Sequence, residues 1–202
     1  FAEKPKIAVT YDPSTMKPSV KIASKTPGTT IRYTTDGSDP TITSTAYTQP
    51  FAPAKECTVR AKTFKTGLLE STDASTEVRL YARKASVNFV QAPQPGLSVQ
   101  VKSTREKYTA ENVLNGFVEK SGTTSQFDLD PRCAAAPCGM VWSGYLNLPQ
   151  SGGYKFWTES DDGSILYVDN EIVVDNDGDH GFEEKSGIAN LQQGWHKLKV
   201  VY

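Results

Sequence analysis

Helical periodicity is nearly absent from this 202-residue chain, and that feature limits its fold more than any other. Short runs of β-branched and aromatic residues are cut at close intervals by Pro, Gly, Asp and Asn, the pattern of an all-β protein. Lys6–Tyr11 is a first strand, stopped by Asp12-Pro13. Ser19–Ser24 alternates apolar and polar residues, as a half-buried strand does. Thr30–Thr34, Cys57–Phe64 and Glu77–Tyr81 follow. Between them, Asp36-Gly37-Ser38-Asp39-Pro40 is a turn with a mechanism: Asp caps backbone, Gly takes positive φ, and Pro blocks continuation. Seven or so short strands in the first 85 residues make a small immunoglobulin-like or fibronectin-like sandwich.

The segment Ala85–Pro95 holds Gln91-Ala92-Pro93-Gln94-Pro95 and carries neither period. The expected organisation is therefore a sandwich over 1–85, a linker over 86–94 and a second β module over 95–202. In that second part Leu97, Val99 and Val101 alternate as a strand, and Thr109–Leu114 holds one short helical possibility. Ser121–Gly139 reads as a long surface loop. Strands return at Val141–Pro149, Tyr154–Trp157, Ile165–Val168, Ile172–Val174 and Trp195–Tyr202.

Two family resemblances follow from these residues. Thr30-Ile31-Arg32-Tyr33-Thr34-Thr35-Asp36-Gly37-Ser38-Asp39-Pro40, with Tyr47, Pro50 and Val59–Phe64, resembles the chitobiase/β-hexosaminidase C-terminal domain. That resemblance implies a non-catalytic, fibronectin-like appendage of a bacterial glycoside hydrolase. The second half resembles a PA14 domain. The matching residues are Trp142, Gly144 and Leu146; Gly153, Tyr154 and Phe156; Ser160-Asp161-Asp162-Gly163-Ser164; Leu166, Val168 and Asp169; His180-Gly181; and Gly194 and His196. PA14 domains usually continue through further strands, so the resemblance implies a C-terminally incomplete copy, a PA14-like β-sandwich or barrel. Several family members bind carbohydrate. Those adhesins that do so use two adjacent aspartates, joined by a cis peptide, to hold a calcium ion that in turn coordinates sugar hydroxyls.

The resemblance places Asp161 and Asp162 at such a site. The next acidic loop, Asp175-Asn176-Asp177-Gly178-Asp179-His180-Gly181, adds oxygen donors. Calcium takes six to eight oxygens, so Asp161, Asp162, Asp175, Asp177 and Asp179 are the candidate calcium ligands. Asp161, Asp162, Asn176 and the aromatic residues Trp157 and Phe182 are the candidate carbohydrate contacts. Against the metal stands the simpler reading of Asp side chains capping turns beside glycine, and no cofactor is required. An EF-hand is excluded: with Asp175 first, His180 stands where the loop needs Gly and Ser186 where it needs Glu.

Composition narrows the function further. Residues 1–90 carry 13 Lys/Arg against 8 Asp/Glu, or +5, and residues 91–202 carry 9 against 15, or −6. A formal net charge of −1 offers no field for nucleic acid or an anionic membrane, and no apolar run is long enough to span a bilayer. There are two histidines, His180 and His196, and no nucleophile, Walker or zinc-protease motif. A glycosidase needs two carboxylates facing across a sugar, whereas Asp161 and Asp162 are neighbours. No catalytic residue is assigned. Cys133 and Cys138 are spaced to close a small loop, which suits an oxidising compartment, and Cys57 sits in a strand pattern. The chain begins at Phe1 without a methionine and stops at Tyr202 inside a strand pattern, which reads as a piece of a longer, processed protein. The expectation is a non-catalytic accessory region of a β-N-acetylhexosaminidase-like glycoside hydrolase, secreted, periplasmic or on the cell surface. Its partners would be a glycan and the parent's catalytic domain. The alternative is a structural spacer with no ligand.

Overall fold

The computed structural model describes residues 1–134 and 136–202 and divides them into two compact units, Phe1–Ala82 and Arg83–Tyr202. In unit 1, β1 (Lys6–Tyr11) and β2 (Pro18–Ala23) form an antiparallel pair. β3 (Thr30–Thr34), β4 (Thr45–Ala46), β5 (Cys57–Phe64) and β6 (Ala74–Val78) form a four-stranded sheet in the order β4-β3-β5-β6. The alternation read in the sequence becomes a shared core. Val20 and Ile22 of β2 meet Val59 and Ala61 of β5 and Val78 of β6, with Tyr33, Tyr47 and Phe51 packed against them. The rings of Tyr33 and Phe51 stack at 4.6 Å, so these aromatics serve the core. Asp36 accepts hydrogen bonds from Ser38 N and Oγ at 3.0 and 2.6 Å, the turn-capping role expected of it. Asp39 instead pairs with Arg60 at 3.0 Å and Lys62 at 2.6 Å.

Unit 2 begins earlier than the sequence suggests. β7 (Arg83–Lys84) pairs in parallel with Asn190–Leu191, and Val87 bridges Trp195. Phe89 sets its ring edge-on to Tyr145 at 4.8 Å. The proline-punctuated segment is thus partly stitched into the second unit, through contacts too short to leave a periodic trace. Two sheets follow. β8 (Leu97–Ser103), β9 (Phe117–Thr124), β10 (Gly139–Leu148), β12 (Ser164–Val168), β13 (Glu171–Asn176) and β15 (Gly194–Val201) form six strands in the order β13-β12-β15-β10-β8-β9. β11 (Gly152–Ser160) and β14 (Glu183–Leu191) join β7 in the order β11-β14-β7. Between the sheets lie Leu148, Leu166, Val168, Val174, Ala189 and Leu191, all buried.

A helix, α1 (Ala110–Asn115), stands where the sequence marks one. Thr109 caps it by accepting from Asn112 N, and Ala110 and Val113 pack on Val141, Ile165 and Val201. β9 runs into the segment expected to be loop. Its side chains are exposed almost throughout, so no alternation announced it. Cys133 and Cys138 are bridged, with Cα atoms 5.2 Å apart, and Cys57 is a free, half-buried thiol. His196 is fully buried, held between Asp169 Oδ2 at 2.6 Å and the Gln192 carbonyl at 2.7 Å. Asp169 and Asn170 form the β12–β13 turn at φ 52° and 67°, a conformation their short polar side chains tolerate. Asp169 Oδ1 also accepts from Lys197 N at 3.0 Å. His196 is therefore a clamp between a turn and a strand.

Candidate functional site

β11 ends, and β12 begins, on either side of Asp161-Asp162-Gly163. At the neck, the buried hydroxyls of Ser160 and Ser164 meet at 2.7 Å. Asn176, at the end of β13, donates through Nδ2 to Ser160 Oγ at 3.1 Å and to the Glu183 carbonyl at 3.0 Å. One buried amide thereby ties the second acidic loop to the first. The two loops then approach until only glycine fits: a Cβ on Gly163 would lie 2.8 Å from Gly178 N and 2.9 Å from Asp177 Oδ1. The Asp161–Asp162 peptide bond is cis.

Three of the four carboxylates have a definite setting. Asp162 Oδ1 accepts from His180 N at 3.2 Å. Asp177 turns both oxygens onto Ala110 N, at 3.1 and 3.2 Å, and so satisfies a donor that every helix N-terminus leaves open. Asp179 Oδ2 lies 2.8 Å from Lys107 Nζ. Asp179, then the charges of Asp162 and Asp177, raise the Lys107 ammonium above its ordinary range. The Tyr202 hydroxyl donates to the Asp161 carbonyl at 2.6 Å. Burial first, then the Asp161 and Asp162 charges, push that phenol up.

These residues surround a cavity of about 360 Å³, walled by Tyr108, Thr109, Asp161, Asp162, Asp177, Asp179 and Tyr202. Four of the five proposed calcium ligands are brought together there. Asp175 is not: it lies on β13 between inward-facing Val174 and Asn176, points outward, and caps Asp177 N at 3.2 Å. Asn176 is 0% exposed and cannot touch a sugar. Trp157 and Phe182 are exposed, at 60% and 73%, but line a second, mainly apolar cavity of about 510 Å³. Asp161 and Tyr202 line both. Tyr108, Thr109 and Lys107 were not legible as site residues, because they enter from a segment more than 50 positions away in the chain.

The donors are the hard oxygens calcium prefers. Three of the four carboxylates around the cavity already serve His180 N, Ala110 N and the Lys107 ammonium. Among the described residues, no three Asp, Glu, His or Cys side chains stand together as an ion would need. The arrangement presents carboxylate acceptors to the cavity.

His180 braces the loop from within. Its Nε2 faces the Asn176 carbonyl at 2.9 Å and its Nδ1 faces the Gly181 carbonyl at 2.8 Å. Only the doubly protonated ring donates to both. The Asn176 and then the Gly181 carbonyl accordingly raise its pKa above the ordinary 6.5. Because the folded value exceeds the unfolded one, the stabilisation is complete below the unfolded value and is lost as pH rises through the folded value. An NMR titration of the His180 ring should show a midpoint above 6.5. A midpoint at or below 6.5 would contradict this bracing.

Residues 20–78 match the Fn3 associated family and residues 134–202 match the PA14 domain. The chain is 28% identical over 187 residues to a β-hexosaminidase of Porphyromonas gingivalis, an alignment covering 84% of this chain and 22% of that protein. The chain thus spans about a fifth of the length of that relative. Among solved structures, it is similar to the Epithelial Adhesin 9 A domain of Candida glabrata in complex with Galb1-3GlcNAc, at 13% identity and TM-score 0.42, covering 60% of this chain and 82% of that one. It is also similar to a β-glucosidase from Kluyveromyces marxianus in complex with glucose, at 15% identity and TM-score 0.40, covering 52% of this chain and 14% of that one.

Proposed function

From an Fn3-associated domain joined to a PA14 domain, we propose that this chain is a non-catalytic accessory region of a β-N-acetylhexosaminidase-like glycoside hydrolase and binds carbohydrate at its acidic cavity. One observation carries the binding reading. Asp161 and Asp162 from one loop, and Asp177 and Asp179 from another, converge with Tyr108 and Tyr202 around one open space. Sugar hydroxyls donate to carboxylates in charge-assisted hydrogen bonds, while tyrosine rings offer an apolar face to ring C–H groups. The volume lies within the range of small-ligand clefts, roughly 300–1,000 Å³.

Alignment with part of a β-hexosaminidase supports the parent assignment. The Cys133–Cys138 bridge supports secretion or export to an oxidising compartment. Among the described residues no helix is long and apolar enough to cross a membrane. The proposed partners are a glycan and the catalytic domain of the parent. Binding without calcium is part of this proposal, since Asp162, Asp177 and Asp179 already meet donors of the protein. That same internal engagement favours the second reading, a spacer that binds nothing.

Glycan-array binding of the full chain, with added calcium and with chelator, separates the two. The expected result is binding to at least one glycan in both conditions. Binding that chelator abolishes would overturn the metal-free part, and binding to nothing would leave the spacer.

A further inference from the structure

In unit 1, Val59 and Ala61 of β5 face the core, so Arg60 and Lys62 face outward. Arg32 of β3 stands directly across from Lys62 and shares that outer face. An outward lysine is ordinarily exposed, yet Lys62 is only 9% exposed. Residues 36–44, which carry the chain from β3 to β4, reach these cations from the solvent side.

Asp39 is the centre of that contact. Its Oδ1 accepts from Arg60 Nη2 at 3.0 Å and its Oδ2 from Lys62 Nζ at 2.6 Å. Pro40 beside it is fully buried. Farther along, Arg32 Nη1 donates to the Ser44 carbonyl at 3.1 Å. Cations of the sheet thus grip the segment at both Asp39 and Ser44.

Each cation that grips Asp39 also meets a second carboxylate. Arg60 meets Asp73 at 2.9 Å and Lys62 meets Glu70 at 3.3 Å. Breaking a buried ion pair is costly chiefly because it leaves one charge uncompensated. Here Asp39 can leave and strand neither cation. The closed arrangement also buries one donor without a partner, Arg32 Nε, a standing cost that water removes on opening. A latch whose release strands no charge and hydrates an orphan donor can open locally, without unfolding of the sheet below.

We propose that residues 36–44 form a charge-latched flap that opens while the sandwich stays folded. Asp39 is the latch, and Asp73 and Glu70 hold Arg60 and Lys62 in the open state.

Hydrogen exchange on the full chain tests this. The Gly37 amide, which donates to the Thr58 carbonyl at 3.2 Å, reports the flap, and the amides of Val59 and Ala61 report the sandwich. Asp39→Asn should speed exchange at Gly37 by at least about tenfold and leave Val59 and Ala61 unchanged. Removing the second carboxylates should do the reverse. With Glu70→Gln and Asp73→Asn together, opening strands both cations, and exchange at Gly37 should slow by about threefold or more. Where that double variant loosens Val59 and Ala61, Glu70→Gln alone, a change at an exposed side chain, carries the same expectation. Unchanged exchange at Gly37 in Asp39→Asn would overturn the latch. Acceleration shared by Val59 and Ala61 would overturn local opening and make Asp39 part of the global fold. Faster exchange at Gly37 without Glu70 would overturn the release, because all the carboxylates would then be holding the flap shut.

Discussion

Gly187→Ala should destabilise unit 2 by about 3 kcal/mol, the upper part of the range for overpacking a filled site. Gly187 lies on β14, opposite Phe156 of β11. There β14 of one sheet passes close to β13 of the other. A Cβ at this position would overlap the Val173 carbonyl oxygen and come within 3.3 Å of Val173 Cγ1. The obstacle is backbone, so no rotamer change relieves it. In urea, with a slope of about 1–3 kcal/mol per molar, the midpoint should fall by roughly 1–3 M. Gly122→Ala is the control, since nothing lies within 4 Å of its added methyl and its midpoint should hold. Equal midpoints for the two variants would show that the sheets separate freely at Gly187.

The second large effect belongs to the acidic cavity. The double substitution Asp161→Asn and Asp162→Asn keeps the side-chain size but removes both charges. Hydrogen bonds to charged acceptors are worth about 1.5–3 kcal/mol, and each 1.4 kcal/mol is about tenfold in affinity. Glycan affinity should therefore fall by about 100-fold or more, while the urea midpoint shifts little because both residues are exposed. Isothermal titration with a glycan identified on the array reads the loss. Unchanged affinity in the double variant would remove these carboxylates from the site.

Much of this organisation was legible in the residues, and the exceptions have physical causes. Alternation marked β2, β5 and β15 because each has one face against a core. β9 has no such face and gave no signal, while β7 is two residues long, shorter than any period. Ser160-Asp161-Asp162-Gly163-Ser164 marked the loop through its own turn chemistry. The second loop was harder to divide. Asp175 and Asp177 look equivalent in sequence, yet β13 continues through Asn176, so the pleat turns Asp175 outward and leaves Asp177 to cap α1. Asn176 resembled an oxygen donor for a ligand and proved to be an internal tie. The contribution of Lys107, Tyr108 and Thr109 depends on how α1 docks against β10 and β15, a tertiary fact with no local signature.

If carbohydrate occupies the space between the two acidic loops, a two-dimensional NMR titration of the full chain reads it directly. On adding an array-identified glycan in the presence of chelator, saturable shifts should appear at Tyr108, Asp161–Gly163 and Asp177–His180, while unit 1 stays still. Shifts confined to other residues, or none at saturating glycan, would contradict the account.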